Sequence, residues 1–79
     1  MARIIDSNKM NLIGENVKKF RKKRHISQAE LANPLELLGV YVCRGSISRI
    51  ETFTRTVTDI ELYAIATVLK VRLDELTKE

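Results

Sequence analysis

Apolar positions along the chain recur at helical rather than strand-like spacing. Ile13, Val17 and Phe20 fall at i, i+4 and i+7, the interval that lines one helix face, while Lys18, Lys19, Lys22 and Lys23 fall mostly on the other. This predicts a first helix from about Asn11 to Arg24, with Gly14 in its interior lowering local propensity by up to ~1 kcal/mol relative to alanine. Ser27-Gln28-Ala29-Glu30 reads as a capping box: the serine oxygen takes an early backbone N–H and Glu30 reaches back to the cap. Leu31, Ala32, Leu35 and Leu38 then carry the apolar face of a second helix over about 28–38, ending at Gly39. Pro34 lies within it and removes one backbone hydrogen bond, so a kink or a break is expected near Asn33. After Val40-Tyr41-Val42, a third helix fits Arg44 to about Glu51, anchored by Ile47 and Ile50. Thr58-Asp59-Ile60-Glu61 is a second capping box, opening a fourth helix with Leu62, Ile65, Ala66 and Leu69 inward. Val71, Leu73 and Leu76 close the pattern with a short fifth helix. The expected fold class is a small all-α domain over residues 11–79. Residues 1–10, which mix Ile4 and Ile5 with polar groups, read as an arm, a frayed extension or a partner contact.

Composition narrows the picture. At 79 residues one domain is the ceiling, and a single cysteine allows no intramolecular disulfide, which suits a reducing, cytoplasmic setting. No apolar run approaches the roughly 20 residues a membrane span needs, so no membrane role is expected. The net charge of +4 is uneven: residues 1–25 hold eight basic against two acidic side chains, a net of +6, and the remainder holds six against eight, a net of −2. The basic cluster suits either a polyanion partner or a solvated helix face.

The segment from Ser27 to Glu51, a capped helix, a turn and a short helix apolar on one side, has the pattern of a helix-turn-helix. On the third helix, Ile47 and Ile50 fix the inward direction with Glu51 on their flank. Gly45, Ser48, Arg49 and Thr52 point the opposite way, and Arg44 and Ser46 occupy the flanks near the N-terminus. A small, polar outer face allows close approach to a groove floor, and each arginine offers a fork for guanine O6 and N7. An ordinary solvated face is the competing reading for any one of these residues, but Gly45 is a poor choice for an exposed helix unless something approaches it.

These residues resemble the phage-repressor (Xre/Cro-type) helix-turn-helix family. The likeness is carried by Ser27-Gln28-Ala29-Glu30-Leu31-Ala32, by Ile47-Ser48-Arg49-Ile50-Glu51, by Val71-Arg72-Leu73-Asp74-Glu75-Leu76 and by the upstream run from Ile13 to Arg21, together spanning about residues 11–77. The resemblance implies a compact five-helix, lambda-repressor-like domain in which the second helix crosses the phosphate backbone and the third enters the major groove. By position, it makes Gln28 a contact to phosphate or a base edge, and puts Cys43, Arg44 and Gly45 at the cap and first turn of the recognition helix. Arg49 becomes a base or backbone contact one turn on, Arg55 a phosphate contact in the following loop, and Arg21 with Glu51 a structural ion pair. The implied function is sequence-specific binding of double-stranded DNA by a transcriptional regulator, a repressor.

Three departures from the family pattern stand out. The segment between Leu31 and Ile47 is longer than usual by about five residues, against a typical turn of 3–4, which leaves room to displace or re-aim the recognition helix. Thr52-Phe53 replaces the usual Asn-Gly pair after Glu51, making Phe53 either a plug on the core or a dimer contact. His25 stands where a helix-ending glycine is common and is expected to take the cap conformation. Cys43 and His25 are single, so neither a metal site nor a Cys/His nucleophile pair is expected, and no cofactor or catalysis is expected either. A helix-turn-helix used as a protein-interaction module, as in an antitoxin or inhibitor, is the alternative function. A homodimer is an open expectation, through the Ile4-Ile5 arm or the end of the fifth helix.

Overall fold

Local capping chemistry sets where the helices begin. In the computed structural model, which describes residues 8–78, five helices follow in order: α1 (Gly14–Lys23), α2 (Gln28–Leu37), α3 (Arg44–Glu51), α4 (Asp59–Leu69) and α5 (Leu73–Thr77). Both expected capping boxes form. The Ser27 hydroxyl accepts from the Glu30 amide at 3.0 Å while Glu30 accepts from the Ser27 amide at 2.8 Å, and Thr58 with Glu61 repeats the exchange. The Ile4-Ile5 part of the arm lies outside the described residues.

Four helix ends share one stop. His25, Gly39, Phe53 and Lys70 all have positive φ, at 58°, 81°, 63° and 57°. At each, the next residue's amide reaches back to a carbonyl in the last turn: Ile26 to Arg21, Val40 to Leu35, Thr54 to Arg49 and Val71 to Ala66, at 2.9–3.2 Å. Gly39 alone takes this left-handed conformation without a Cβ penalty.

The start of α1 differs from the predicted pattern. Gly14, expected inside the helix, is its first residue, and the N-cap Ile13 offers no side-chain cap. That work passes to Asn11, which is 9% exposed. Its Oδ1 accepts from the amides of Ile13 and Gly14 at 3.1 and 2.8 Å, and its Nδ2 donates to the carbonyls of Ile50 and Arg55 at 3.1 and 2.9 Å. One amide thus caps α1 and ties it to the end of α3 and the loop beyond. Gly14 lies so close to that end that a Cβ there would collide with the Ile50 carbonyl oxygen and press on the Phe53 ring. Phe53 is half-buried over this contact, with the Lys9 ammonium 4.7 Å from its ring centre.

The core is Ile13 and Val17 of the α1 end, Leu31, Ala32 and Leu35 of α2, Val42, Ile47 and Ile50, Ala64, Ile65, Ala66 and Leu69 of α4, and Leu76 of α5. The helices α2 and α3 pack on each other, α2 also on α4, and α1 braces α3, α4 and α5. Of the residues expected inward, Phe20, Leu62 and Val71 are half-buried and pack against this core, while Leu38 and Leu73 are exposed. Leu38 is 55% exposed because it caps α2 and the chain turns away at Gly39, so Val40 and Val42 fill its place. Leu73 opens α5 on the solvent side and is 44% exposed.

Pro34 produces no break: α2 runs continuously from Gln28 to Leu37. The carbonyl that loses its i+4 partner belongs to Glu30, an exposed residue of the first turn. The extra length before α3 goes into residues 38–43, a longer connection than the usual 3–4, with Val42 buried and Tyr41 81% exposed. No helix among the described residues is long and apolar enough to cross a membrane.

Candidate nucleic-acid interface

The orientation of α3 follows from its two isoleucines, both fully buried. Arg44, Gly45, Arg49 and Thr52 are exposed on the outer side, Ser48 is half-buried, and Cys43 is the exposed N-cap. Gly45 has room for a side chain: an added Cβ would make only ordinary contact with the Arg49 Nη1 and Cys43 Sγ, at 3.7 and 3.9 Å. Nothing in the chain's own packing therefore requires glycine here. Thr52 caps the helix end, its hydroxyl donating to the carbonyls of Ser48 and Arg49 at 3.1 and 3.3 Å.

Ser46 is the correction on this helix. Expected on the outer flank, it is 8% exposed, because on the helical wheel it lies as close to the inward axis as Glu51 does on the other side. Its hydroxyl accepts from Arg49 Nη2 at 3.4 Å and lies 3.5 Å from Cys43 Sγ. That hydroxyl, then the backbone N–H groups of Ser46 and Gly45 and the charge of Arg49, hold the Cys43 thiol below its ordinary range.

Arg55, expected as a phosphate contact, is paired within the chain. It turns back onto α4, and its guanidinium donates to both carboxylate oxygens of Glu61 at 3.0 and 2.8 Å and to the Thr56 carbonyl at 3.0 Å. Glu61 is already fixed as the third residue of α4's capping box, so it offers a rigid carboxylate for a planar fork. The Arg55 hydrogen bonds hold Glu61 below the usual carboxylate range. An arginine six residues before a capping-box glutamate is the only sequence trace of this pair.

Arg21 and Glu51 meet as a forked pair, Nε to Oε2 at 2.7 Å and Nη2 to Oε1 at 3.0 Å, both side chains largely buried. Donating these hydrogen bonds to Glu51 raises the Arg21 pKa above its ordinary value. The second donor to Glu51 was not foreseen: Gln28 Nε2, from the first residue of α2, reaches the same Oε1 at 3.2 Å. Gln28 is half-buried, so part of its amide remains at the surface.

On α1 and at its end, Lys18, Lys19, Lys22, Lys23 and Arg24 are exposed. Leu37 at 89% exposure, Leu38 and Tyr41 crowd the end of α2 and the following turn. Between α2 and that turn lies an open cleft of about 430 Å3, with Ala29 and Ala32 among its lining and Tyr41, Cys43 and Arg44 on the α3 side. Among the described residues no group of three His, Cys, Asp or Glu side chains could hold a metal ion.

What α3 can do chemically is present two guanidinium forks, a bare backbone position and a cap from one rigid, outward face. A comparison with curated proteins finds no match. A helix-turn-helix family model matches residues 17–76, the stretch that contains α2, α3 and the helices packed around them, and the chain belongs to the Xre/Cro-like helix-turn-helix family of DNA-binding proteins.

Proposed function

We propose that the chain is a sequence-specific transcriptional repressor that reads the major groove of double-stranded DNA with α3. The observation that carries this reading is the outer face of α3, where Arg44 and Arg49 flank a glycine that internal packing does not demand. A glycine in an exposed helix costs about 1 kcal/mol relative to alanine, and close approach of a groove floor offsets that cost. Arg44 and Arg49 supply the base-reading forks, with Cys43, Gly45, Ser48 and Thr52 lining the contact, while Gln28 and the α2 N-terminus meet the backbone or a base edge. Arg55, paired with Glu61 but partly exposed, is proposed as a phosphate contact after α3, and Ser46 supports the Arg49 side chain from behind. The exposed lysines of α1 add long-range attraction. A homodimer on two half-sites a helical turn apart fits a reader of this size.

Selection of bound sequences from a random duplex pool tests the reading. A preferred site is expected, with affinity that falls linearly in log salt. Arg44→Ala or Arg49→Ala should cost ~1–3 kcal/mol at that site. Absence of any preferred duplex at low salt refutes the proposal. Use as a protein-interaction module is the second reading, favoured by exposed Leu37, Leu38 and Tyr41 beside the cleft. Stable co-purification of another protein, without duplex binding, selects it.

A further inference from the structure

We infer that Arg21 and Glu51 are positioning residues for Gln28, a role that rests on the proposed reading of DNA and reaches beyond joining α1 to α3. Oxygen Oε1 of Glu51 accepts from two groups, Arg21 Nη2 at 3.0 Å and Gln28 Nε2 at 3.2 Å. Arg21 is itself fixed on a third side, its Nη1 donating to the Ile26 carbonyl at 2.9 Å, just before α2 begins. The carboxylate is therefore held from behind, with its side chain 4% exposed, and has no room to follow a moving glutamine.

A carboxylate oxygen accepts only from the NH2 end of an amide and repels the oxygen end. Glu51 thus decides which way round the Gln28 amide sits. One N–H is engaged inward, and the amide oxygen stands away from the carboxylate with the second N–H still available. An amide edge with an acceptor and a donor side by side is the group that pairs with adenine N6 and N7. Gln28 is at the first position of α2 and half-buried, so this edge is offered in one orientation before DNA arrives. Side-chain freedom that would otherwise be lost on binding is already lost in the free protein, which favours affinity. Glu51 and Arg21 influence recognition without touching DNA.

A variant that keeps the fold but removes the carboxylate separates positioning from stapling. Replacing a buried ion pair by apolar residues of similar size is often neutral or stabilising, so Arg21→Leu/Glu51→Met is the test protein, its folding checked by circular dichroism and thermal unfolding. On the duplex selected by the unaltered chain, Gln28→Ala is expected to weaken binding about tenfold. The folded Arg21→Leu/Glu51→Met protein should weaken it by a similar factor, and adding Gln28→Ala to it should change little more. In 15N spectra of the free protein, the Gln28 side-chain amide pair should move when Glu51 is replaced. Wild-type affinity in the folded double variant, or an undiminished Gln28→Ala effect within it, overturns the inference. Should the double variant not fold, Glu51→Gln takes its place in the same cycle. If the unaltered chain selects no duplex, the proposed function falls and the recognition role with it. An unmoved amide pair refutes the Glu51–Gln28 contact by itself.

Discussion

Replacing Asn11 by aspartate swaps one amide nitrogen for an oxygen and changes no volume, yet it should be among the most damaging substitutions in the chain. The cap on α1 survives, because a carboxylate oxygen still accepts from Ile13 and Gly14, and a negative charge suits a helix N-terminus. What is lost is the donor side. The Ile50 and Arg55 carbonyls, now 3.1 and 2.9 Å from a nitrogen, would face an oxygen of like charge in a site only 9% exposed. Each buried hydrogen bond removed costs about 1 kcal/mol, and leaving an acceptor facing another acceptor adds a similar amount, giving roughly 3 kcal/mol at neutral pH. A domain of this size has on the order of 4–12 kcal/mol in total, and 1 kcal/mol moves Tm by about 4–8 °C, so the loss is easily measured. Asn11→Ala should cost as much through a different sum: it keeps no repulsion but loses the cap, itself worth about 1 kcal/mol. The two variants part company in acid. Protonation gives the aspartate an O–H that can donate to one carbonyl; the folded state then binds a proton more readily than the unfolded chain, and the deficit shrinks as pH falls. Urea unfolding of the three proteins at pH 7 and pH 4 is the assay. An Asn11→Asp protein within 1 kcal/mol of the unaltered chain at pH 7 would refute the reasoning about the donor side, and a deficit that does not shrink in acid would refute the reasoning about the charge.

The left-handed helix stops yield two opposite outcomes by thermal unfolding. Lys70→Gly should stabilise by about 0.5–1 kcal/mol by relieving the Cβ strain at φ +57°, whereas Gly39→Ala, with φ +81° and no atom near its Cβ, should destabilise by about 1 kcal/mol through conformation alone. Equal signs would mean that φ does not govern these positions. Gly14→Ala should cost about 1–3 kcal/mol despite alanine's better helix propensity, since the Ile50 backbone oxygen cannot easily move aside; a stabilised variant would count against that close approach. Arg55 holds the Glu61 carboxyl below its ordinary value of 4.5, so its contribution is present above that pH and fades as pH falls through the lower folded-state pKa. The stability gap between the unaltered chain and Glu61→Gln should therefore narrow from pH 6 to pH 3, and a pH-independent gap would count against the ion pair.

What the sequence made legible was chemistry that acts over three or four residues. The two capping boxes, the Gly39 stop and the bounds of α3 are local exchanges between neighbours, and each forms as expected. The Arg21–Glu51 contact was legible only through family resemblance, since its partners are thirty residues apart. Elements that depend on distant geometry were not readable. Asn11 looks like any polar residue before a helix until α3 arrives beside it, and Arg55 looks like a free cation until the loop folds back on α4. Ser46 differs: the wheel sets it as near the inward axis as Glu51, so its burial was readable from the spacing of Ile47 and Ile50. At Pro34 the expected break does not occur, because the hydrogen bond it removes is a single one, to Glu30 in the exposed first turn.

The ties that converge on the end of α3 bear on what can be separated from what. Asn11 grips the Ile50 carbonyl, Arg21 grips Glu51, and Phe53 closes over Gly14, all from outside the stretch between Ser27 and Thr52. Excised alone, that stretch would keep its own caps and turn but lose each of these holds and the α4 surface beneath α2. The helix-turn-helix here is not a transplantable cassette: α3 takes its support from Asn11, α1 and the loop beyond it, so grafting only α2 and α3 onto another scaffold would carry over their exposed faces without the frame that aims them.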